Sequence, residues 1–373
     1  MKVMLSYMSY IVSGLLVLVV CLFSGCQKSV VPEEHETEDY ISFSGKTAGD
    51  YDVKSSDGTT PVLATTELLK KASFGIFGYK SFDDKTGFTN VFLIDKAQEV
   101  YWDVKLNEGK GAWTYEQKQK WVRSMHYRFR AVWPYKPENI QTGSSANCFS
   151  VTYSSFVEDY DLMVAYATRW PLQGGVDPVT LSFKHALAGL RFKIRFKDGI
   201  TEEDNLKEFY ITGIYPHGQL FYGFGLDDNI AGSAEPVDGL MKWRLSDNTF
   251  NTTTPQFHWQ STQDGQAAKP FGGANSAANV YFTETQAGTT GGVADGAALI
   301  VPQTLSSKDG METYVNFKTE NGGSALHKAK LPNITLEPGK IYTFTLTING
   351  STITVNVDIQ DWKAINSNID IIL

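Results

Sequence analysis

The chain has 373 residues and a formal net charge of −8 at pH 7. This length predicts two domains of roughly 150 residues each. Thr, Gly and aromatic residues are plentiful, which favours strands and turns over helices. The acidic balance argues against binding to nucleic acid or to an anionic membrane surface, because both need clustered Lys and Arg.

The N-terminal segment has the pattern of an export signal. Lys2 precedes a continuous apolar run over residues 10–23, which is long enough for a signal peptide and short for a membrane span. Small residues then lead into Cys26, and this arrangement resembles the lipobox of bacterial lipoproteins. It predicts a signal peptide over residues 1–25 and a lipid anchor, including palmitate, on Cys26. Cleavage at another position and an N-terminal membrane anchor are the alternatives.

The first part of the mature chain is polar. Residues 26–39 are acidic and contain Pro32, so they predict a flexible tether. Order is expected to begin with a short strand from Tyr40 to Ser44. A Gly-, Ser- and Asp-rich loop at 47–60 follows this strand.

Period-two alternation dominates the remainder and predicts short strands. In the strand around Leu190, apolar residues alternate with Arg and Lys, so one face is buried and the other is either solvated or a patch for a charged ligand. The predicted fold is all-β, with two tandem antiparallel β-sandwich domains at 40–175 and 179–373. The other predicted strands are Phe74 to Tyr79, Glu99 to Leu106, Tyr127 to Trp133, Leu162 to Tyr166 and Val179 to Phe183.

A hairpin is predicted near the C-terminus. Apolar residues alternate with Thr from Tyr342 to Ile348, and Asn349-Gly350 is a strong signal for a two-residue turn. All apolar side chains then share one face. The predicted partners are Ile348 with Ser351, Leu346 with Ile353, Phe344 with Val355 and Tyr342 with Val357.

Catalytic signatures are missing from the sequence. It contains neither a phosphate-binding P-loop nor a Gly-x-Ser-x-Gly elbow, and its six histidines lack metal-pair spacing. We therefore predict no enzymatic activity, no cofactor and no metal. The tryptophans have two interpretations, a sugar-stacking platform or cover for a β-sandwich core: Trp102, Trp113, Trp121, Trp133 and Trp170.

Several segments together resemble the fimbrillin family, the subunits of type V pili. Besides the lipobox they are Ile41-Ser42-Phe43-Ser44, residues 160–165, 179–192, 299–303 and 336–342, and Trp362 after Val357-Asp358-Ile359. Their order extends across nearly the whole chain. The resemblance implies two transthyretin-like β-sandwich domains and a subunit of an adhesive pilus.

The resemblance also implies a route of assembly. The precursor travels to the outer membrane as a lipoprotein, and a protease removes the lipidated segment together with the first strand. A C-terminal strand of the next subunit then fills the emptied groove. Ile41 and Phe43 would belong to the removable strand. The donor strand would present Ile365, Ile369, Ile371 and Leu373 on one face, unless this tail pairs within its own domain.

The best-studied members of the family that the chain resembles are cut after an arginine, but no arginine lies between Cys26 and Arg123. Lys46 and Lys54 are the candidate processing positions, which we expect in the soft loop. Stalk, anchor and tip roles are all compatible with this departure. The expected partners are other pilus subunits, the outer membrane, and a host or bacterial surface glycan or protein. A monomeric carbohydrate-binding surface lipoprotein is the alternative function.

Overall fold

A computed structural model describes the chain over these residues: 39–47, 69–82, 89–91, 97–142, 148–155, 160–169, 177–198, 200, 202–223, 240–245, 256–260, 262–263, 266–267, 271–272, 278–282, 293–294, 297–306 and 312–361. The described residues from Ile41 onward belong to one compact unit, whereas Asp39 and Tyr40 belong to a separate N-terminal unit. The predicted signal peptide, Cys26 and nearly all of the tether lie outside the described residues. No helix in the described ranges is long and apolar enough to span a membrane.

The fold is all-β, as predicted. In chain order the strands of the described residues are β1 Phe43–Thr47, β2 Phe74–Ser81, β3 Thr89–Asn90, β4 Gln98–Asp103, β5 Ala112–Thr114, β6 His126–Trp133, β7 Ile140–Thr142, β8 Cys148–Ser154, β9 Met163–Arg169, β10 Val179–His185, β11 Ala188–Phe196, β12 Glu203–Asp204, β13 Leu206–Thr212, β14 His217–Gly223, β15 Leu240–Leu245, β16 Gln256–Gln260, β17 Thr262–Gln263, β18 Gln266–Ala267, β19 Phe271–Gly272, β20 Ala278–Phe282, β21 Val293–Ala294, β22 Ala297–Ile300, β23 Thr304–Leu305, β24 Tyr314–Thr319, β25 His327–Lys330, β26 Ile334–Thr335, β27 Lys340–Asn349 and β28 Thr352–Asp361. Short 3-10 turns occur at Asn107–Gly109 and Pro137–Asn139.

The first sheet has the order β1-β10-β9-β6-β2-β4-β5, with β3 on β2. Its central strand β6 is buried on both faces. Tyr127, Phe129 and Trp133 alternate along β6 and enter one core, which we call the first core. The strands predicted in this region are confirmed, although β4 ends at Asp103 and the three residues after it belong to a turn.

The second large sheet has the order β21-β22-β11-β20-β16-β13-β24-β25, with β27 on β11 and β28 on β27. Leu190, Phe192 and Ile194 of β11 are buried, whereas Lys193 between them is exposed. The predicted two-faced strand is therefore confirmed. Its solvated face is cationic because the alternating residues are Arg and Lys.

The sheets do not divide where the sequence predicts. Val179–His185, the predicted start of the second sandwich, pairs with β1 and β9 and so belongs to the first sheet. In addition, β8 from the predicted first domain pairs with β14 in a four-stranded sheet, β15-β14-β8-β7. Sheet pairing thus crosses the predicted domain boundary, and the division into two tandem sandwiches at 40–175 and 179–373 remains a prediction.

The predicted antiparallel pairing is also incomplete. β1 runs parallel to β10, and β11 runs parallel to β27. Hairpin signals act between neighbouring strands and cannot specify such pairs, because each joins strands far apart in the sequence.

The C-terminal hairpin is present with its register shifted by two residues. Asn349 lies opposite Thr352 and Ile348 opposite Ile353, so the turn is Gly350-Ser351 and not Asn349-Gly350. Leu346 then pairs with Val355, Phe344 with Val357 and Tyr342 with Ile359. A shift of two residues preserves the face of every side chain, so the hydrophobic pattern fits both registers and the turn conformation decides between them.

This register makes a testable distinction. Gly350 has a φ of 60° and no atom near the position of an added Cβ. We therefore expect Gly350→Ala to lower the free energy of unfolding by about 1 kcal/mol through backbone strain alone. Asn349→Ala is the matched control and should cost less, because Asn349 is a paired strand residue. Urea unfolding of both variants measures the difference, and a larger cost for Asn349→Ala would contradict the observed register.

Candidate functional site

The short strand β1 lies at an edge of the first sheet. It runs parallel to β10, with Phe43 opposite Val179 and Thr47 opposite Phe183. The backbone N–H of Val179 donates to the carbonyl oxygen of Ser42 at 2.8 Å. On the outer side, the Ser44 hydroxyl donates to Thr180 Oγ1 at 3.2 Å.

The inward face of this segment is apolar and buried. Ile41 is 0% exposed and Phe43 is 4% exposed, and both belong to the first core. The Phe43 ring centre lies 5.5 Å from that of Phe129, 5.8 Å from Tyr115 and 6.5 Å from Phe74. Phe43 is thus surrounded by aromatic rings from three other parts of the first sheet and its connections.

Gly45 occupies the narrow end of the same face. A Cβ at this position would lie 3.5 Å from Leu69, 3.6 Å from Phe183 and 3.7 Å from Trp113. Phe183 is on β10, the strand that pairs with β1, and Trp113 is on β5, at the other end of the sheet order. The inward face of β1 therefore lies against both β10 and β5 and closes the first core. We call the space that Ile41, Phe43 and Gly45 occupy the β1 groove.

A loop after β5 holds the start of this segment. The backbone N–H of Ile41 donates to the carbonyl oxygen of Gln119 at 2.8 Å. The Tyr115 hydroxyl donates to the Ile41 carbonyl oxygen at 2.8 Å and accepts from the Gln119 N–H at 3.1 Å. Burial raises the pKa of Tyr115, and the hydrogen bond from Gln119 partly opposes this rise. The hydroxyl therefore keeps its proton at neutral pH and remains a donor.

Two of the predicted site residues, Ile41 and Phe43, come together in the β1 groove. The predicted strand from Tyr40 to Ser44 begins three residues too early, since β1 is Phe43–Thr47. Lys46 is exposed, but it lies within β1 opposite Ser182 and not in a loop. The prediction that Lys46 lies in a loop was wrong. Gly45 and Lys46 interrupt the apolar sequence pattern, but their backbone still pairs with β10.

Other predicted site residues lie outside the described residues. They are Cys26, Lys54, Trp170, Trp362, Ile365, Ile369, Ile371 and Leu373. Tyr115 and Gln119 also belong to this site, although the sequence did not predict them. No local motif marks either residue, because their role depends on a contact with a segment more than 70 positions earlier.

The tryptophans support the core interpretation. Trp113, Trp121 and Trp133 are buried in the first core. Trp102 is partly buried and packs edge-on against Trp113, with ring centres 5.5 Å apart. Within the described ranges these residues do not form an exposed stacking platform. No group of three or more His, Cys, Asp or Glu in those ranges could hold a metal ion.

Residues 60–362 match the family model described as fimbrillin-like. The chain belongs to the fimbrillin-like family. This match confirms the family predicted from the sequence motifs. The matched range begins after β1 and ends before the C-terminal tail, so both predicted exchange elements lie outside it.

Solved structures resemble this fimbrillin-like chain. A fimbrial protein from Bacteroides vulgatus is 15% identical with a TM-score of 0.50, and the alignment covers 87% of this chain and 99% of that one. A fimbrial assembly protein from Parabacteroides distasonis is 11% identical with a TM-score of 0.43, covering 86% of this chain and 98% of that one. The first likeness supports the fold. No curated protein matches the sequence.

The β1 groove leads to a stability prediction. Phe43→Ala removes a buried ring from the first core, so we expect the free energy of unfolding to fall by about 3–5 kcal/mol. Ser42→Ala is the control on the neighbouring residue, and it should change stability by no more than about 0.5 kcal/mol because it keeps the backbone bond to Val179. Thermal or urea unfolding measures both, and equal effects would show that Phe43 does not stabilise the core.

Proposed function

We propose that this fimbrillin-like protein is an adhesive pilus subunit that joins its neighbours by strand exchange at the β1 groove. The observation that carries the proposal is the nature of β1. It has five residues, lies at a sheet edge, and belongs with Ile41 to a segment that supplies central side chains of the first core. The family membership supports a structural role without catalysis or cofactor.

Loss of β1 would create an acceptor for another strand. It would leave one edge of β10 unpaired and uncover the aromatic rings around Phe43. An incoming strand restores backbone hydrogen bonds, and its alternate side chains refill the groove. Since donor and acceptor are different surfaces, the contact is head-to-tail and extends into a filament.

The C-terminal tail has side chains suited to this groove. The β1 groove accommodates the large side chains of Ile41 and Phe43, but at Gly45 it accommodates no side chain. The tail presents Ile365, Ser367, Ile369, Ile371 and Leu373 at alternate positions. An antiparallel alignment with the lost strand places the small residue where the groove is narrow: Ser367 at Gly45, Ile369 at Phe43 and Ile371 at Ile41. A parallel alignment of Ile369, Ile371 and Leu373 would instead place the large Leu373 side chain at the narrow Gly45 position. We therefore propose that the donor strand runs antiparallel to the direction of β1.

Export and processing complete the proposal. Cys26 carries the lipid after removal of residues 1–25, the tether at 26–39 spaces the fold from the outer membrane, and the pilus extends from the cell surface. Lys54 is the better processing position, because it follows β1 and a cut there releases the whole strand. A cut after Lys46 would divide β1 at a paired residue.

The exchange can be tested with protein that lacks residues 1–25 and carries Cys26→Ser. Limited digestion with a lysine-specific protease should remove the N-terminal segment and yield an SDS-resistant ladder and filaments in electron micrographs. Lys54→Gln should slow this release, and deletion of 362–373 should prevent the ladder without preventing the cut. A clipped protein that stays monomeric would overturn strand exchange and favour the alternative, a surface lipoprotein that binds carbohydrate as a monomer.

The direction of the donor can be tested by cross-linking. Thr180 is exposed on β10 opposite Ser44. The antiparallel alignment places Asn368 of the donor at the Ser44 position, whereas the parallel one places Ile372 there. Subunits carrying Thr180→Cys should therefore form a disulfide with subunits carrying Asn368→Cys, since opposite residues on paired strands have Cβ atoms about 4.5–5.5 Å apart. Preferential cross-linking to Ile372→Cys would reverse the proposed direction.

A further inference from the structure

An open pocket of about 250 Å³ lies beside β4, separate from the β1 groove. Gln98, Glu99 and Tyr101 of β4 line one side, and Glu116, Gln117 and Tyr135 line the remainder. Glu99 and Tyr101 alternate with the buried Val100, so they project from the same outer face of the strand. Two aromatic, two carboxylate and two amide side chains thus meet at one depression.

One wall of the pocket is held firmly. The Tyr135 ring packs on Gly75, where an added Cβ would lie only 2.6 Å from the ring. Its hydroxyl donates to the carbonyl oxygen of Ala97 at 3.3 Å. Burial raises the pKa of Tyr135, and the nearby carboxylates of Glu99 and Glu138 raise it further. The Tyr101 side chain also lines the pocket, and it is 39% exposed and available for contact.

The two pocket carboxylates are not neutralised by the described part of the chain. Neither Glu99 nor Glu116 forms an ion pair with a described residue. The neighbouring cation, Lys118, donates to Thr114 Oγ1 at 2.7 Å and lies 4.4 Å from the centre of the Tyr115 ring. The pocket therefore presents hydrogen-bond acceptors with negative charge, together with the amide groups of Gln98 and Gln117.

We infer that this pocket binds one unit of a neutral sugar. Hydroxyl groups donate to carboxylates and also accept from amides, so they satisfy both kinds of lining group. One N–H of the Gln98 amide already donates to the Glu99 carbonyl oxygen at 3.1 Å. A lysine or arginine side chain offers donors only and therefore supplies no acceptor for the Gln117 amide. The flat face of a sugar ring packs on an aromatic side chain, which Tyr101 supplies. The pocket volume lies below the range of about 300–1,000 Å³ that is typical of sites for drug-sized ligands. This smaller volume suits a ligand with a single sugar ring.

The same charges exclude acidic sugars. A uronate or sulfate group would approach two carboxylates that form no ion pair with a described residue, and like charges in close contact disfavour binding. The inference gives a ligand class to the adhesive role proposed above and rests on that role for its biological meaning. Binding itself is measured on the unprocessed monomer, so a failure of sugar binding and a failure of strand exchange are distinguishable.

The test uses the full mature chain with Cys26→Ser on an oligosaccharide array. The array carries chains ending in glucose, galactose, mannose or N-acetylglucosamine, each beside glucuronate- or galacturonate-ended chains of matched length. We expect capture of at least one neutral terminal sugar and at least tenfold weaker capture of its acidic counterpart. Absence of capture of every neutral sugar, or preference for the acidic ones, would overturn the inference.

Variants then locate the binding. Isothermal titration with the methyl glycoside of the captured sugar should show at least tenfold weaker binding for Tyr101→Ala and for the double variant Glu99→Gln/Glu116→Gln. Val104→Ala is the matched control, since Val104 is 65% exposed just beyond β4 and does not line the pocket. Thermal unfolding checks that each variant is folded. Unchanged affinity in both pocket variants, or displacement of the glycoside by a lysine-rich peptide, would place the site elsewhere or assign it to a cationic ligand.

Discussion

The burial of Phe43 and Ile41 is the contact on which the first half of the molecule depends. Both side chains come from a short segment at the N-terminal border of the fold, yet they fill the centre of the first core. Full burial of such a side chain contributes about 1.5–3 kcal/mol. Since an ordinary domain is stable by only about 5–15 kcal/mol, the segment supplies a large share of the net stability. A fold built in this way needs a strand in the β1 groove, whichever chain provides it.

The strand that receives β1 also connects the two large sheets. After β10 the chain passes through Ala186 and Leu187 directly into β11. The backbone N–H of Ala186 donates to the carbonyl oxygen of Leu162 at 2.7 Å. The carbonyl oxygen of Ala186 accepts from the ring N–H of Trp243 at 3.0 Å. Leu187 accepts from the Gly339 N–H at 2.8 Å. Backbone hydrogen bonds to residues before β10 and after β11 therefore hold this connection in place. A buried hydrogen bond between the His185 and Asp161 side chains lies next to it.

The features proposed here for assembly and for recognition lie on different parts of the same sheet. The β1 groove is apolar, enclosed and suited to a strand, whereas the pocket beside β4 is polar, open and suited to hydroxyl groups. The loop from Tyr115 to Gln119 is common to both, because Tyr115 and Gln119 hold Ile41 while Glu116 and Gln117 line the pocket. The proposed strand exchange and the proposed sugar binding therefore involve different residues of one subunit.

Local pattern determined much of this protein. The alternation in β6, β11 and β27 predicted strands and their buried faces, and the order of short motifs identified the family, because side-chain period and turn chemistry are properties of a few adjacent residues. The same pattern could not choose the hairpin register, since a shift of two residues leaves every face unchanged. Only the tertiary structure decided that β1 pairs with β10, that β8 pairs with β14, and that Tyr115 holds Ile41. Each of these contacts joins residues more than 60 positions apart, and their free energy depends on how the whole chain packs.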